Sequence, residues 1–77
     1  MKPYETIQEL LDDSKKHGPY VQNNYDHSYY LITYIYPIGI KNKADFQIIL
    51  NSNPYNSASR LELLKYYTWQ DGSPCGK

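Results

Sequence analysis

The densest run of β-forming side chains along the chain extends from Ser28 to Tyr36. Aromatic and β-branched residues fit a pleated, half-buried surface, so this run predicts a strand. Because side chains alternate between the two faces of a strand, they fall into two sets. One set is Tyr29, Leu31, Thr33 and Ile35, and the other is Tyr30, Ile32, Tyr34 and Tyr36. Both sets are apolar or amphipathic, so we expect a strand that is covered on both sides or that presents its tyrosines to something other than water.

An amphipathic helix is predicted before this strand, over Pro3 to Lys16. Ile7, Leu10 and Leu11 recur at helical spacing and form one narrow apolar face. Basic side chains follow in the last turn, where they complement the helix dipole. Gly18 comes next and is suited to a left-handed cap, so the helix is expected to end there.

Two further strands are predicted, Tyr20–Gln22 as a hairpin partner of the central strand and Phe46–Leu50 after a polar reversal. Residues 51–57 contain a proline and are expected to form a loop. Residues 59–69 fit both a helix with capping-box spacing and an alternating strand; the helix is preferred and the strand stays open. Residues 70–77 are expected to form a mobile tail.

The predicted fold is therefore α+β. It has an N-terminal helix, a small antiparallel sheet of about three strands, and a C-terminal helix or fourth strand. All of these elements belong to a single small domain over residues 1–77, because no linker or internal repeat divides the chain.

Charge and composition narrow the function classes. Eight basic and eight acidic residues give a formal net charge of zero, which removes long-range attraction to nucleic acid or acidic membranes. A lone cysteine, Cys75, cannot form an intramolecular disulfide and fits a reducing cytosol. The polar N-terminus and the short apolar runs predict no signal peptide and no membrane segment, hence a cytoplasmic protein. Frequent Asn, Tyr, Ile and Lys indicate an A+T-rich coding sequence, as in low-GC bacteria and their phages.

No pattern of catalytic or metal-ligating residues emerges from the sequence. His17, Asp26, His27 and Cys75 are the only candidates for a metal site or a Cys–His pair, and they lack a ligand spacing such as C-x-x-C or H-x-x-x-H. The adjacent carboxylates at positions 12 and 13 lie on the exterior of the predicted helix, which is typical of a solvated face. The sequence thus predicts a protein that is not an enzyme and that needs no cofactor.

The main functional hypothesis is protein contact through a tyrosine-rich sheet face. Tyrosine is enriched among interface hot spots, because it joins a large apolar surface to a polar tip. The expected function is a noncatalytic protein-binding module, a small inhibitor or modulator of phage or mobile-element type. Its partner is expected to be a host macromolecule or a second copy in a homodimer. The predicted partner-binding residues are Tyr30, Ile32, Tyr34, Tyr36, Lys41, Lys43 and Ile49.

Three alternatives stay open beside this hypothesis. The aromatic face can stack the bases of a single-stranded nucleic acid, although the zero net charge and the single arginine, Arg60, weigh against it. Tyrosines from several copies can also form a pocket for a nucleotide-like ligand. In the third alternative the C-terminal segment covers the face, and the tyrosines are ordinary core residues.

Overall fold

The computed structural model describes residues 1–38 and 45–77, which form two helices and one five-stranded antiparallel sheet. The elements in chain order are α1 (Ile7–His17), β1 (Tyr20–Asn23), β2 (Tyr29–Pro37), β3 (Phe46–Leu50), β4 (Asn53–Ser59), α2 (Arg60–Tyr66) and β5 (Tyr67–Trp69). The strand order is β4-β3-β2-β1-β5, so the tyrosine-rich strand β2 occupies the middle of the sheet. The predicted α+β class is confirmed.

Helix α1 begins with a capping box that the sequence analysis did not identify. The Thr6 hydroxyl accepts a hydrogen bond from the Glu9 backbone N–H (3.1 Å), and the Glu9 carboxylate accepts one from the Thr6 N–H (3.2 Å). These bonds satisfy N–H groups that have no partner inside the helix, which is why the helix begins here and not at Pro3. At the other end the Gly18 N–H donates to the Ser14 carbonyl (2.9 Å). Gly18 ends the helix as expected, but its φ of 97° and ψ of 163° differ from the left-handed cap that was predicted and lie in a region that favours glycine.

Residues 59–69 contain both of the structures that the sequence left open. Ser59 and Glu62 form a second capping box, with bonds of 3.1 and 3.0 Å, and start the seven-residue helix α2. At Tyr67 the backbone becomes extended, and β5 pairs with β1. Helical spacing correctly describes Arg60–Tyr66, and strand alternation correctly describes Tyr67–Trp69. In the part of the chain that the structure describes, no helix is long and apolar enough to cross a membrane.

Strand β4 corrects the prediction of a loop over residues 51–57. It pairs with β3, with Ser57 opposite Ile49 and Ala58 opposite Ile48. The prediction failed because the segment is rich in Asn and Ser and contains Pro54, which cannot donate a hydrogen bond to a neighbouring strand. Proline is tolerated here because β4 lies at the edge of the sheet and one side of it is unpaired.

The core lies between the two helices and one face of the sheet, which we call the inner face. Leu10 of α1 and Leu63 of α2 are fully buried against it. Burial of apolar side chains on a single face is the main stabilising contribution in a domain of this size. The other buried residues are Tyr4, Val21, Phe46, Ile48, Leu50, Ala58, Tyr67, Trp69 and Cys75.

A β-bulge interrupts the alternation of side chains in β2. Ile32 pairs with Leu50, but Tyr34 pairs with Ile49, so β2 has one residue more than β3 between these pairs. The extra residue is Thr33, whose hydroxyl donates a hydrogen bond to the Ile49 carbonyl (3.1 Å). A bulge of this kind reverses the faces of all the residues that follow it.

The bulge contradicts the predicted division of β2 into two faces. Tyr30 and Ile32 precede it and pack against the core, as Ile35 does after it. Tyr34 and Tyr36 therefore point away from the core, and they are exposed. The expectation that these four residues share one face was wrong, because strict alternation does not hold across Thr33.

The C-terminal segment, expected to be a mobile tail, lies against the core. Cys75 is fully buried, and the Trp69 N–H donates to the Ser73 carbonyl (2.8 Å). Lys2 and Lys77 exchange two backbone hydrogen bonds of 2.7 and 2.8 Å. The last strand ends at Trp69, and the segment after it makes contacts through a buried Cys75 and backbone pairing that the sequence did not predict.

Candidate interaction surface

The face of the sheet opposite the core, which we call the outer face, is formed by cross-strand pairs of β1, β2 and β3. Tyr20 lies opposite Leu31, and Tyr34 lies opposite Ile49. The buried side chains of both helices belong to the inner core, so the helices leave this face open. The outer-face residues are Tyr20, Gln22, Tyr29, Leu31, Tyr34, Tyr36, Gln47, Ile49, Ser57 and Thr68.

Four exposed tyrosines dominate this face. Tyr29 and Tyr34 are 56% and 62% exposed, and Tyr20 and Tyr36 are also exposed. The rings of Tyr34 and Tyr36 lie with their centroids 6.0 Å apart and their planes tilted by 32°. Beside them, Tyr20 and Tyr29 line a shallow depression of about 370 Å³. The face therefore combines flat aromatic surface with a concavity.

The hydroxyl groups of these four tyrosines differ from those of Tyr4 and Tyr30, which form hydrogen bonds within the protein. Among hydrogen bonds between described residues, tyrosine hydroxyls take part only at Tyr4 and Tyr30. The outer-face hydroxyls make none to another described residue. They can each donate and accept a hydrogen bond with a bound partner, which lets an apolar surface remain hydrated when it is free.

The outer face carries no charge on any of its residues named above. Its polar members are amides and hydroxyls, and two of them already pair, since the Gln47 side-chain amide donates to the Ser57 hydroxyl (3.0 Å). Burying uncharged groups avoids the large desolvation cost of an ion. This composition, aromatic and depleted in charge, is typical of the buried centre of a protein interface.

The structure brings together part of the predicted partner-binding set. Tyr34, Tyr36 and Ile49 are neighbours on the outer face. Tyr30 and Ile32 precede the bulge, lie on the inner face and pack against the core. Whether any of these residues binds a partner stays a prediction. The two members of the set that lie outside the described residues are Lys41 and Lys43.

Sequence reasoning missed the other half of the surface, which consists of Tyr20, Tyr29 and Leu31. The expected alternation places Tyr29 and Leu31 on the opposite face of β2 and Tyr20 in its hairpin partner. One signal could have found them. Thr33 is the only residue of the run 29–36 that is neither aromatic nor aliphatic, and its hydroxyl binds backbone at the bulge.

The residues considered for metal binding or catalysis are parts of the fold. His17 Nδ1 lies 2.6 Å from Asp71 Oδ2, and its ring stacks on Trp69 with centroids 6.0 Å apart. The Ser73 N–H and then His17 lower the pKa of Asp71 to about 2. Burial raises the pKa of Cys75 to about 12, so the thiol stays protonated. Within residues 1–38 and 45–77, no group of three or more His, Cys, Asp or Glu side chains could hold a metal ion.

In comparisons with known proteins, no protein-family model, curated protein or solved structure matches this chain. Its function is therefore argued from the geometry of the outer face.

Proposed function

We propose that this protein is a noncatalytic protein-binding module and that the outer face is its contact surface. The supporting observation is an open sheet face with four exposed tyrosines and no charged residue among its members. The inner face and the buried sides of both helices are already used by the core. The outer face is thus an aromatic surface that the core leaves free for another molecule.

The proposal includes a biological setting that fits a small domain of this kind. The protein acts in the cytoplasm as an inhibitor or modulator of a host macromolecule, as small proteins of phages and mobile elements do. Its zero net charge and uncharged outer face imply that binding does not depend on electrostatic steering. Association is then expected to change little with salt, unlike nucleic-acid binding, which weakens steeply as salt rises.

Tyrosine side chains supply the binding energy in this proposal. Truncation of a hot-spot aromatic residue typically costs about 2 kcal/mol or more of binding free energy. A Tyr29→Ala/Tyr34→Ala double variant is therefore expected to bind its partner at least about a hundredfold more weakly. The same variant keeps the core intact, because both side chains are more than half exposed.

The proposal is tested by placing a photo-crosslinking amino acid at Tyr34 and, as a control, at Leu61. Leu61 has a similar exposure of 60% and belongs to α2, not to the outer face. Irradiation in native cells is expected to give a protein adduct from position 34 and none from position 61. The adduct mass separates a second copy of the chain from a foreign protein. Equal adducts from both positions, no adduct at position 34, or adducts with nucleic acid only would overturn the proposal.

A further inference from the structure

A second concave surface lies alongside α2. It shares no tyrosine with the outer face. We call it the α2 cleft. It has a volume of about 340 Å³, and its lining includes Tyr25 from the β1–β2 turn, Glu62 and Tyr66 from α2, and Tyr67 from β5. Tyr67 belongs to the core, Tyr66 packs against it and Glu62 takes part in the α2 capping box, whereas Tyr25 is exposed and has no role in the core or in the proposed contact surface.

Two of the three tyrosine rings of the cleft, those of Tyr25 and Tyr66, approach each other at an angle. The ring centroids of Tyr25 and Tyr66 are 5.8 Å apart, and the ring planes are tilted by 43°. Tyr67 meets Tyr30 edge-on, with centroids 6.0 Å apart. Tyr25 is 76% exposed, so packing against the core does not explain its position. Aromatic ring faces carry partial negative charge and attract cations, most strongly when several rings surround one site.

One carboxylate, Glu62, lines the cleft, and a second, Asp26, follows Tyr25 in the chain. Glu62 accepts a hydrogen bond from the Ser59 N–H in the capping box, and it forms no salt bridge with another described residue. Asp26 follows Tyr25 and accepts a hydrogen bond from the Tyr30 hydroxyl (2.7 Å). The Ser28 N–H, with that hydroxyl, lowers the pKa of Asp26.

One ring of the cleft already contacts a cation within the protein. The ammonium group of Lys65 lies 5.3 Å from the centroid of Tyr66. This contact shows that the ring is placed to accept a positive charge. It also places a positive charge near the cleft, which repels a cationic ligand.

We propose that the α2 cleft binds an alkylammonium cation through Tyr25, Tyr66 and Tyr67, with Glu62 supplying the opposite charge. Tilted rings form a rounded site that fits a methylated ammonium better than a flat guanidinium, which stacks parallel to a ring. Two sources present this chemistry, a free quaternary amine such as choline and a methylated lysine of another protein. This site shares Ser57 with the outer face but none of the outer-face tyrosines.

The first test is a nuclear magnetic resonance titration of the whole protein with choline and with 3,3-dimethylbutan-1-ol. The alcohol has the same shape as choline but carries no charge. Choline is expected to shift the signals of Tyr25, Tyr66 and Tyr67, with a Kd on the order of millimolar. The alcohol is expected to bind about tenfold more weakly. Equal binding of the two, or no shift at these residues, would overturn the proposal.

Glu62→Gln is the sharpest variant, because glutamine can still accept the hydrogen bond from the Ser59 N–H and so preserves the capping box. It is expected to weaken choline binding about tenfold by removing the charge. Glu9→Gln is the matched control, since Glu9 has the same capping role in α1 and does not line the cleft. Equal weakening by both variants would contradict a local electrostatic role. Tyr25→Ala is expected to weaken binding about threefold, and Tyr34→Ala should leave it unchanged.

Lys65 provides a test in the opposite direction. Lys65→Met removes the nearby positive charge and keeps much of the side-chain volume, so choline should bind about threefold more tightly. Weaker or unchanged binding would show that the ligand does not reach the Tyr66 ring.

The two sources are separated by comparing choline with a short peptide that contains trimethyllysine, with unmodified lysine in the control peptide. Tighter binding of the trimethyllysine peptide identifies a protein side chain as the ligand, and tighter binding of choline identifies a small molecule. If neither binds, the proposal fails, while the crosslinking result at Tyr34 stands or falls separately.

Discussion

The inner and outer faces of the sheet are built from the same strands but differ in what covers them. In β3, Ile48 is fully buried, while its neighbour Ile49 lies on the outer face beside Tyr34. Both faces are apolar enough to form a core. The two helices have only 11 and 7 residues, and they pack on one face. The hydropathy of a strand therefore does not determine which of its faces is buried, because burial depends on the helices that are available to cover that face.

Polar groups show the same contrast between the faces. Toward the core, the Trp69 indole N–H donates to the Tyr4 hydroxyl (2.9 Å), which donates to an Asp13 carboxylate oxygen (2.6 Å). No buried side-chain nitrogen or oxygen within the described ranges lacks a hydrogen-bond partner. The outer-face tyrosine hydroxyls, by contrast, have no described partner. Satisfied polar groups hold a fixed fold, whereas open ones on an aromatic surface suit a contact with another molecule.

The largest effect is expected from neighbouring isoleucines in β3. Ile48→Ala removes a fully buried side chain and should lower the free energy of unfolding by about 3 kcal/mol. Ile49→Ala changes the same residue type on the outer face and should cost about 1 kcal/mol or less. Urea denaturation followed by circular dichroism measures both. Similar costs for the two variants would mean that the outer face is also part of the core.

A smaller effect is expected when single hydroxyl groups are removed. Tyr4→Phe leaves the Trp69 indole N–H buried without an acceptor, which should cost about 2 kcal/mol of stability. Tyr34→Phe removes a hydroxyl from the outer face and should change stability by less than about 0.5 kcal/mol. Thermal or urea unfolding distinguishes these outcomes. A neutral Tyr4→Phe variant would show that the Tyr4 hydroxyl does not matter for the inner layer.

The smallest expected effect is on the pH dependence of the unfolding free energy, through Asp71 at the edge of the core. The folded-state pKa of Asp71 is lowered from 3.8 to about 2, chiefly by the Ser73 N–H and then by His17. A lowered carboxyl pKa contributes stability above the unfolded value, and this contribution is lost as pH falls from about 4 toward 2. Asp71→Asn should therefore flatten the fall in unfolding free energy over that range.

The control for this measurement is Asp12→Asn, which removes an exposed carboxylate from α1 without touching the His17–Asp71 pair. Its slope between about pH 4 and 2 is the reference with which the slope of Asp71→Asn is compared. The same slope in Asp71→Asn and the wild type would contradict the assignment.

Much of the fold could be predicted from local sequence signals. The central strand follows from its run of β-forming residues, and the first helix and the strand Phe46–Leu50 follow from hydrophobic spacing. Strand β4 could not be predicted in this way, since it is an edge strand with mostly polar residues and gains its order from pairing with β3. Helix α2 and β5 share a segment that satisfies both patterns, and only tertiary pairing fixes their boundary.

The candidate surface was predictable in kind but not in detail. A tyrosine-rich sheet face exists, and it includes Tyr34 and Tyr36 as expected. Its remaining members depend on the bulge at Thr33, which exchanges Tyr30 for Tyr29. A single extra residue moves every later side chain to the other face. Alternation in the sequence does not reveal the bulge, because a bulge is defined by how the strand pairs with its neighbour.

The central claim is that the outer face contributes little to the fold and is left for a partner. The most direct test is the unfolding free energy of the Tyr29→Ala/Tyr34→Ala double variant, measured by urea denaturation. The account predicts a cooperative transition within about 1 kcal/mol of the wild type, because both rings are mostly hydrated in the folded protein. A loss of about 3 kcal/mol or more, or no cooperative transition, would show that the outer tyrosines are core residues and would contradict the account.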